Sequence, residues 1–282
     1  MSKIEWCDRT INPVKGLCPV ACPYCYARRM YQNPRYKRLY QSQKISWYPP
    51  AWDLVYKLKK PSRIFVGSTF ELFLDTLPEN WMEYNLLTAK KYPQHTFIFL
   101  TKQPYNLPSE FPDNCWVGVS VTNERMYVDA MASLIGEEAK VKFVSFEPLL
   151  SHIDKMLLQN TLPCLEWVII GRQTPISKKT APEIEWIKEI VDAADKAGIP
   201  VFLKNNLRKL LIPYEQSRAN VVSLSLPDDV KLCQEYPSPF YTKCCEDIEG
   251  KDPCIGCGPV EECQTAPNYL MLRQEFPKVA DK

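Results

Sequence analysis

Apolar residues along this chain follow two rhythms that alternate. Short runs rich in β-branched and aromatic residues occupy 63–67 (RIFVG), 96–100 (TFIFL), 115–121 (CWVGVSV), 141–146, 166–171 (EWVIIG) and 200–203. Such runs predict buried strands. Residues 80–91, 126–134 and 182–197 instead space their apolar positions at a helical period. In the last these are Ile184, Ile187, Ile190, Val191 and Ala194, and Gly198 ends the pattern as a helix C-terminus often does. A further short strand is predicted over 3–7. Strands alternating with helices predict parallel βαβ units, hence an α/β fold. Their number suggests a partial TIM-like (β/α) barrel, with an open doubly wound sheet as the other topology. In a barrel the site lies where the strands end. No G-x-G-x-x-G and no G-x-x-x-x-G-K-[ST] occurs, so nothing points to a dinucleotide or P-loop site.

The rhythm stops after Pro227. Residues 228–263 carry nine acidic and three basic side chains, six cysteines and few apolar residues. Two units follow: a barrel domain over 1–227 and a cysteine-rich appendage over 228–282.

Composition narrows the class. Hydrophobic residues make up 45% of the 282, enough for a large core. The first residues show no charged-then-apolar signal pattern, and no run of about 18 apolar residues suggests a membrane span. A cytoplasmic protein with no membrane partner is expected. Twelve cysteines in a reducing compartment point to metal or cluster ligation rather than disulfides. With two histidines, His95 and His152, a histidine-rich metal site is not expected.

Cys18, Cys22 and Cys25 form a C-x3-C-x2-C loop (CPVACPYC). Three thiolates at this spacing reach three corners of one cubic iron–sulfur cluster and leave the fourth iron open. A zinc site would need a fourth protein ligand, for which Cys7 is the candidate.

This loop, with Tyr24 before its last cysteine, resembles the signature of the radical S-adenosylmethionine (SAM) superfamily. The runs IEWCDRTINPVKG, CPYCYA, FVGSTFELF, FLTKQP, GVSVTNE and SFEPLL resemble an uncharacterised, phage-associated branch of it, across about residues 3–207. The resemblance implies an enzyme with a 4Fe-4S cluster on Cys18, Cys22 and Cys25. It implies reductive cleavage of SAM to methionine and a 5′-deoxyadenosyl radical, which abstracts hydrogen from a substrate. It implies Tyr24 beside the adenine and a reducing electron donor of the flavodoxin or ferredoxin kind. The family's SAM-amino segment falls on Gly67, Ser68 and Glu71, although Glu71 is not adjacent to the glycine.

Other polar residues stand where strands should stop: Thr101 and Lys102, Ser120, Thr122 and Asn123, Ser145 and Glu147, Lys204 and Asn205. Ser120 and Asn123 are candidates for the SAM ribose or carboxylate, and Glu147 for ribose or substrate. The plainer reading of each one singly is a cap or a solvated loop end, while their convergence on one mouth is the stronger expectation. No catalytic residue is named by the sequence.

In the tail, Cys245, Cys254, Cys257 and Cys263 have a C-x8-C-x2-C-x5-C spacing, with Cys244 able to replace Cys245 and Cys233 a further candidate. Four thiolates close either an auxiliary iron–sulfur cluster or a zinc site.

Charge adds one more pattern. Net charge is +2, yet residues 26–60 hold nine cations against Asp53 alone, so that stretch is +8 and the remainder −6. Tyr31, Tyr36 and Tyr40 interleave with the cations, a composition that suits a nucleic-acid substrate. The plainer reading is a solvated helix face, and a protein substrate is equally open. Two other functions stand beside the enzyme: a zinc-stabilised nucleic-acid-binding protein without catalysis, and an electron carrier with two closed clusters.

Overall fold

The computed structural model describes residues 4–33, 44–211 and 273–277. In chain order the elements are β1 (Arg9–Ile11), β2 (Val14–Lys15), α1 (Tyr26–Gln32), β3 (Ser46–Trp47) and α2 (Asp53–Lys57). Then come β4 (Arg63–Val66), α3 (Glu79–Lys91), β5 (Thr96–Thr101), β6 (Cys115–Ser120) and α4 (Glu124–Leu134). The rest are β7 (Val141–Phe146), α5 (Lys155–Thr161), β8 (Trp167–Ile170), α6 (Ile184–Lys196) and β9 (Val201–Leu203).

Seven strands form one parallel sheet in the order β1-β4-β5-β6-β7-β8-β9. Strand order follows chain order, and the sheet curls into a half-barrel. That topology decides against the doubly wound alternative, in which the order reverses partway. β2 and β3 pair antiparallel as a separate ribbon.

Alternation along the strands sorts side chains onto two faces. Ile64, Val66, Phe97, Phe99, Val117, Val144, Val168 and Ile170 pack outward among the helices. Phe65, Ile98, Trp116, Phe143, Trp167, Ile169 and Phe202 fill the concave face. The helices that the periodicity predicts all form. Helix α6 buries Ile187, Ile190, Val191 and Ala194, the stripe read from the sequence.

Residues 4–7 do not form the strand expected over 3–7. Trp6 and Cys7 are neighbours in sequence, yet both are buried, and the Cys7 amide donates to the Ile4 carbonyl in a turn. Trp6 fills the concave face, 4.8 Å from the Phe65 ring and edge-on to Trp167 at 6.4 Å. The Glu5 carboxylate accepts from the Asn205 amide at 2.7 Å, beyond the end of β9. The N-terminal turn thus spans the gap between the first and last strands. Chain direction beats local β-propensity here, because the aromatic ring fills the space that an unclosed barrel leaves empty.

Residues 273–277 also belong to this body. The Leu203 amide donates to the Arg273 carbonyl at 2.5 Å and the Glu275 amide to the Val201 carbonyl at 3.1 Å. This short antiparallel segment covers the outer edge of β9. Phe276 then stacks on Trp167 (5.5 Å) and Phe202 (5.4 Å), with the Arg63 guanidinium 3.8 Å over its other side. The strand starts are therefore plugged by aromatic rings, and the polar end of the barrel is the other one.

Candidate active site

The loop between β2 and α1 carries the three cysteines. Cys18, Cys22 and Cys25 line one small pocket together with Leu17, Ala21, Arg28 and Thr69. Its bends are set locally. Ala21 takes φ +53°, and the Cys25 amide donates to the Cys22 carbonyl at 3.0 Å. Cys25 caps α1, its sulfur accepting from the Arg28 amide at 3.4 Å. The Arg28 guanidinium returns to the Cys18 carbonyl at 2.8 Å. Burial pushes the Cys18 thiol above its usual pKa, while the backbone amides of Glu71 and Val20 act the other way. The Tyr24 phenol is pushed far up, first by burial and then by the Cys22 and Cys25 sulfurs beside it.

The donor chemistry fits an iron–sulfur cluster: three cysteines line a common space, and no His, Asp or Glu lines it. Among the described residues, no three of His, Cys, Asp and Glu gather closely enough for a single metal ion. Ligands to a cubane sit on separate corners, so a wider set suits it better than it suits one zinc ion. The space between the thiols is about 20 Å³, the size of one water. A cubane is larger than this space, so seating one requires the loop to open. Cys7, the candidate fourth zinc ligand, does not line this pocket; it lies in the concave core, its thiol donating to the Ile4 carbonyl.

The end of β4 lies against this loop. Gly67 has φ +85°, a conformation that favours glycine, and a Cβ there would meet Leu72 at 2.6 Å. Its amide donates to the Ile11 carbonyl and its carbonyl accepts from Phe70. The Ser68 carbonyl accepts from the Tyr26 hydroxyl. Glu71 is buried and ties two strand ends together. Its carboxylate accepts from the Phe73 amide (3.2 Å), the Thr101 hydroxyl (2.7 Å) and the Lys102 amide (2.8 Å). No helix begins at Glu71, so its charge serves these donors rather than a helix dipole.

Across the mouth, Glu147 at the end of β7 accepts from Lys204 Nζ beyond β9. The same carboxylate accepts from the Ser145 hydroxyl (3.2 Å) and Trp6 Nε1 (3.4 Å). Burial lowers the Lys204 ammonium, but the Glu147 charge outweighs it, and the net shift is upward. Ser120 is buried at the end of β6, paired in register with Ser145. Asn123 is the N-cap of α4, accepting from the Met126 amide at 3.0 Å. The mouth therefore gathers Glu71, Ser120, Ser145, Glu147 and Lys204 at the strand ends, with Asn123 serving its helix. Cys233, Cys244, Cys245, Cys254, Cys257 and Cys263 lie outside the described residues, as do Tyr36 and Tyr40.

Three mouth residues escaped the sequence reading. Asn12, after β1, accepts from Ser68 Oγ (3.2 Å) and the Thr69 amide (3.0 Å), pinning the end of β4 to the end of β1. Its signal was Asn-Pro at a strand end. Gly171 lets the Glu147–Lys204 pair approach β8: a Cβ there would be 2.9 Å from Lys204 Cδ and 3.0 Å from Glu147 Oε1. Arg172, the next residue, is buried. A wider cavity of about 1470 Å³ lies between α3 and the loops after β4 and β5; no cysteine lines it.

Fold and site together define an α/β half-barrel protein with a three-thiol pocket on the rim of its polar end. Residues 1–210 match a family described as "Protein of unknown function (DUF5131)", and the chain belongs to it. No curated protein and no solved structure matches.

Proposed function

We propose that this chain is a radical SAM enzyme. The observation that carries the reading is that the three thiols of the C-x3-C-x2-C loop face one pocket on the rim of a parallel half-barrel, beside the end of the adjacent strand. Cys18, Cys22 and Cys25 would hold a 4Fe-4S cluster. When bound, the cluster supplies the electron that cleaves SAM to methionine and a 5′-deoxyadenosyl radical, which takes hydrogen from the substrate. This chain's own residues do the rest. Asn12 and Glu71 hold the loop after β4 in place beside the thiols. The Trp116, Trp167 and Phe276 rings close the opposite end of the barrel, and Trp6 fills the space between them and Glu147, keeping water out from below. Glu147 and Lys204 present a paired charge at the mouth that orients polar groups there. An electron donor of the flavodoxin or ferredoxin kind is the implied partner.

The test is anaerobic purification and reconstitution, iron and sulfide counting, then dithionite plus SAM with 5′-deoxyadenosine assayed by chromatography. About four irons per chain, with product lost in Cys22→Ala, are expected. About eight irons would add a second cluster on the tail cysteines. Zinc in place of iron at the first site would overturn the reading in favour of a zinc-stabilised binding protein.

A further inference from the structure

The loop from β8 to α6 leaves two buried polar atoms without a partner. One is Arg172 Nε, on a side chain more than nine-tenths buried; the other is Thr180 Oγ1. The backbone of Arg172 is fully engaged: its amide donates to Asn206 Oδ1 (3.2 Å), and its carbonyl accepts from Asn206 Nδ2 (2.7 Å). That two-way amide contact fixes Arg172 to the turn following β9, on the rim of the mouth. Among the described residues no carboxylate acts on its guanidinium; burial pulls its pKa below the usual value. The carboxylate at the end of the neighbouring strand, Glu147, is already held by Lys204.

A buried guanidinium without an anion is costly, and native proteins rarely keep one without a use. Its planar fork matches the oxygens of a phosphate or carboxylate. The loop, residues 171–183, adds Lys178 and Lys179, both exposed, against one acid, Glu183, at the start of α6. A surplus of two positive charges suits the charge of a phosphate.

We propose that the Arg172 guanidinium receives a phosphate group carried by the substrate, at the rim between β8 and β9. This rests on the mouth being the active site and gives that site a substrate class, a phosphorylated molecule. Asn206 positions Arg172, and the buried, unpartnered Thr180 hydroxyl on the same loop would complete the receptor.

The probe is inorganic phosphate, added to the full chain at constant ionic strength in place of chloride, with thermal unfolding as the readout. Wild type should gain a saturable rise of about 2–5 °C. Arg172→Gln should lose that rise, and in phosphate-free buffer should melt at or above wild type, since an unpaired buried charge is gone. An equal response in both proteins, or none in wild type, overturns the proposal. An equal rise with acetate would make the receptor one for carboxylates and overturns the phosphate assignment. Should Arg172→Gln fail to fold, ¹⁵N-arginine spectra of wild type decide, with Arg172→Lys identifying the signal. One Nε–H signal must move saturably with phosphate, and none moving refutes the site. Neither measurement needs iron or SAM. A phosphate response kept in Cys22→Ala alongside zinc in place of iron at the first site of wild type would sink the enzyme reading alone.

Discussion

Gly171 is a residue at which the mouth has little room. The Glu147–Lys204 pair lies across it, and Trp6 and Ser145 hold the carboxylate from the other side. A methyl group at 171 has to push one of these aside. Gly171→Ala should cost about 1–3 kcal/mol, the usual range for overpacking, read as a lower urea midpoint at unchanged slope. The same pair sets a pH dependence. The Lys204 pKa is raised in the fold above its ordinary 10.5, so the folded state holds this proton more tightly than the unfolded one. Its contribution is complete below pH 10.5 and is lost as pH rises through the folded value. Urea midpoints should therefore fall more steeply above pH 10.5 in wild type than in Lys204→Met. A parallel fall in both would refute the assignment. At this scale sequence reading found single residues but not their pairings. Glu147 and Lys204 were each visible as polar strand ends, yet 57 positions separate them. The partners of Glu71, Thr101 and Lys102, come from the next strand and left no mark beside it in the sequence.

Elements were read best where a face repeats. The stripe on α6 and the runs of β5 to β8 carry enough consecutive positions for burial to impose its period. Short pieces carry too few. The two-residue strands β2 and β3, the five-residue α2 and the seven-residue α5 have no period to read. Residues 273–277 (RQEFP) show none either, and what fixes them is non-local. Arg273 pairs with Glu275 at 3.0 Å and with Asp195 on α6 at 2.7 Å, and Glu275 also accepts from the Val201 amide. Arg273 and Glu275 are about nine-tenths buried, so removing the cation leaves a buried carboxylate unpaired. Arg273→Ala should cost about 3–5 kcal/mol, seen in thermal or urea unfolding. Glu71→Ala should cost less, about 1–3 kcal/mol, through the three donors it leaves unsatisfied.

For the whole molecule, the α/β class and the half-barrel were legible because each strand is followed in space by the next strand in sequence. Closure was not. It depends on the N-terminal turn reaching β9 and on the last described residues returning to β9 and Arg63. Such contacts leave no mark on local composition. They bind the first and last strands of the open barrel through parts that belong to neither. A chain ending at Leu211 should keep the parallel sheet but lose the Phe276 plug and the cover on β9. It should unfold at lower temperature and self-associate, as light scattering during a melt would show; an unchanged melt and a monomeric profile would refute this.

The cover on β9 has a consequence for the way the protein is made. A ribosome releases the seven parallel strands well before it releases residues 273–277. Throughout that interval the outer edge of β9 offers unpaired amides and carbonyls, including those of Val201 and Leu203, to any passing strand. The nascent chain is thus most exposed to mispairing while its own last segment is still in the exit tunnel. Slower translation over the C-terminal quarter would lengthen that exposure, and a chaperone holding the nascent sheet would shorten it.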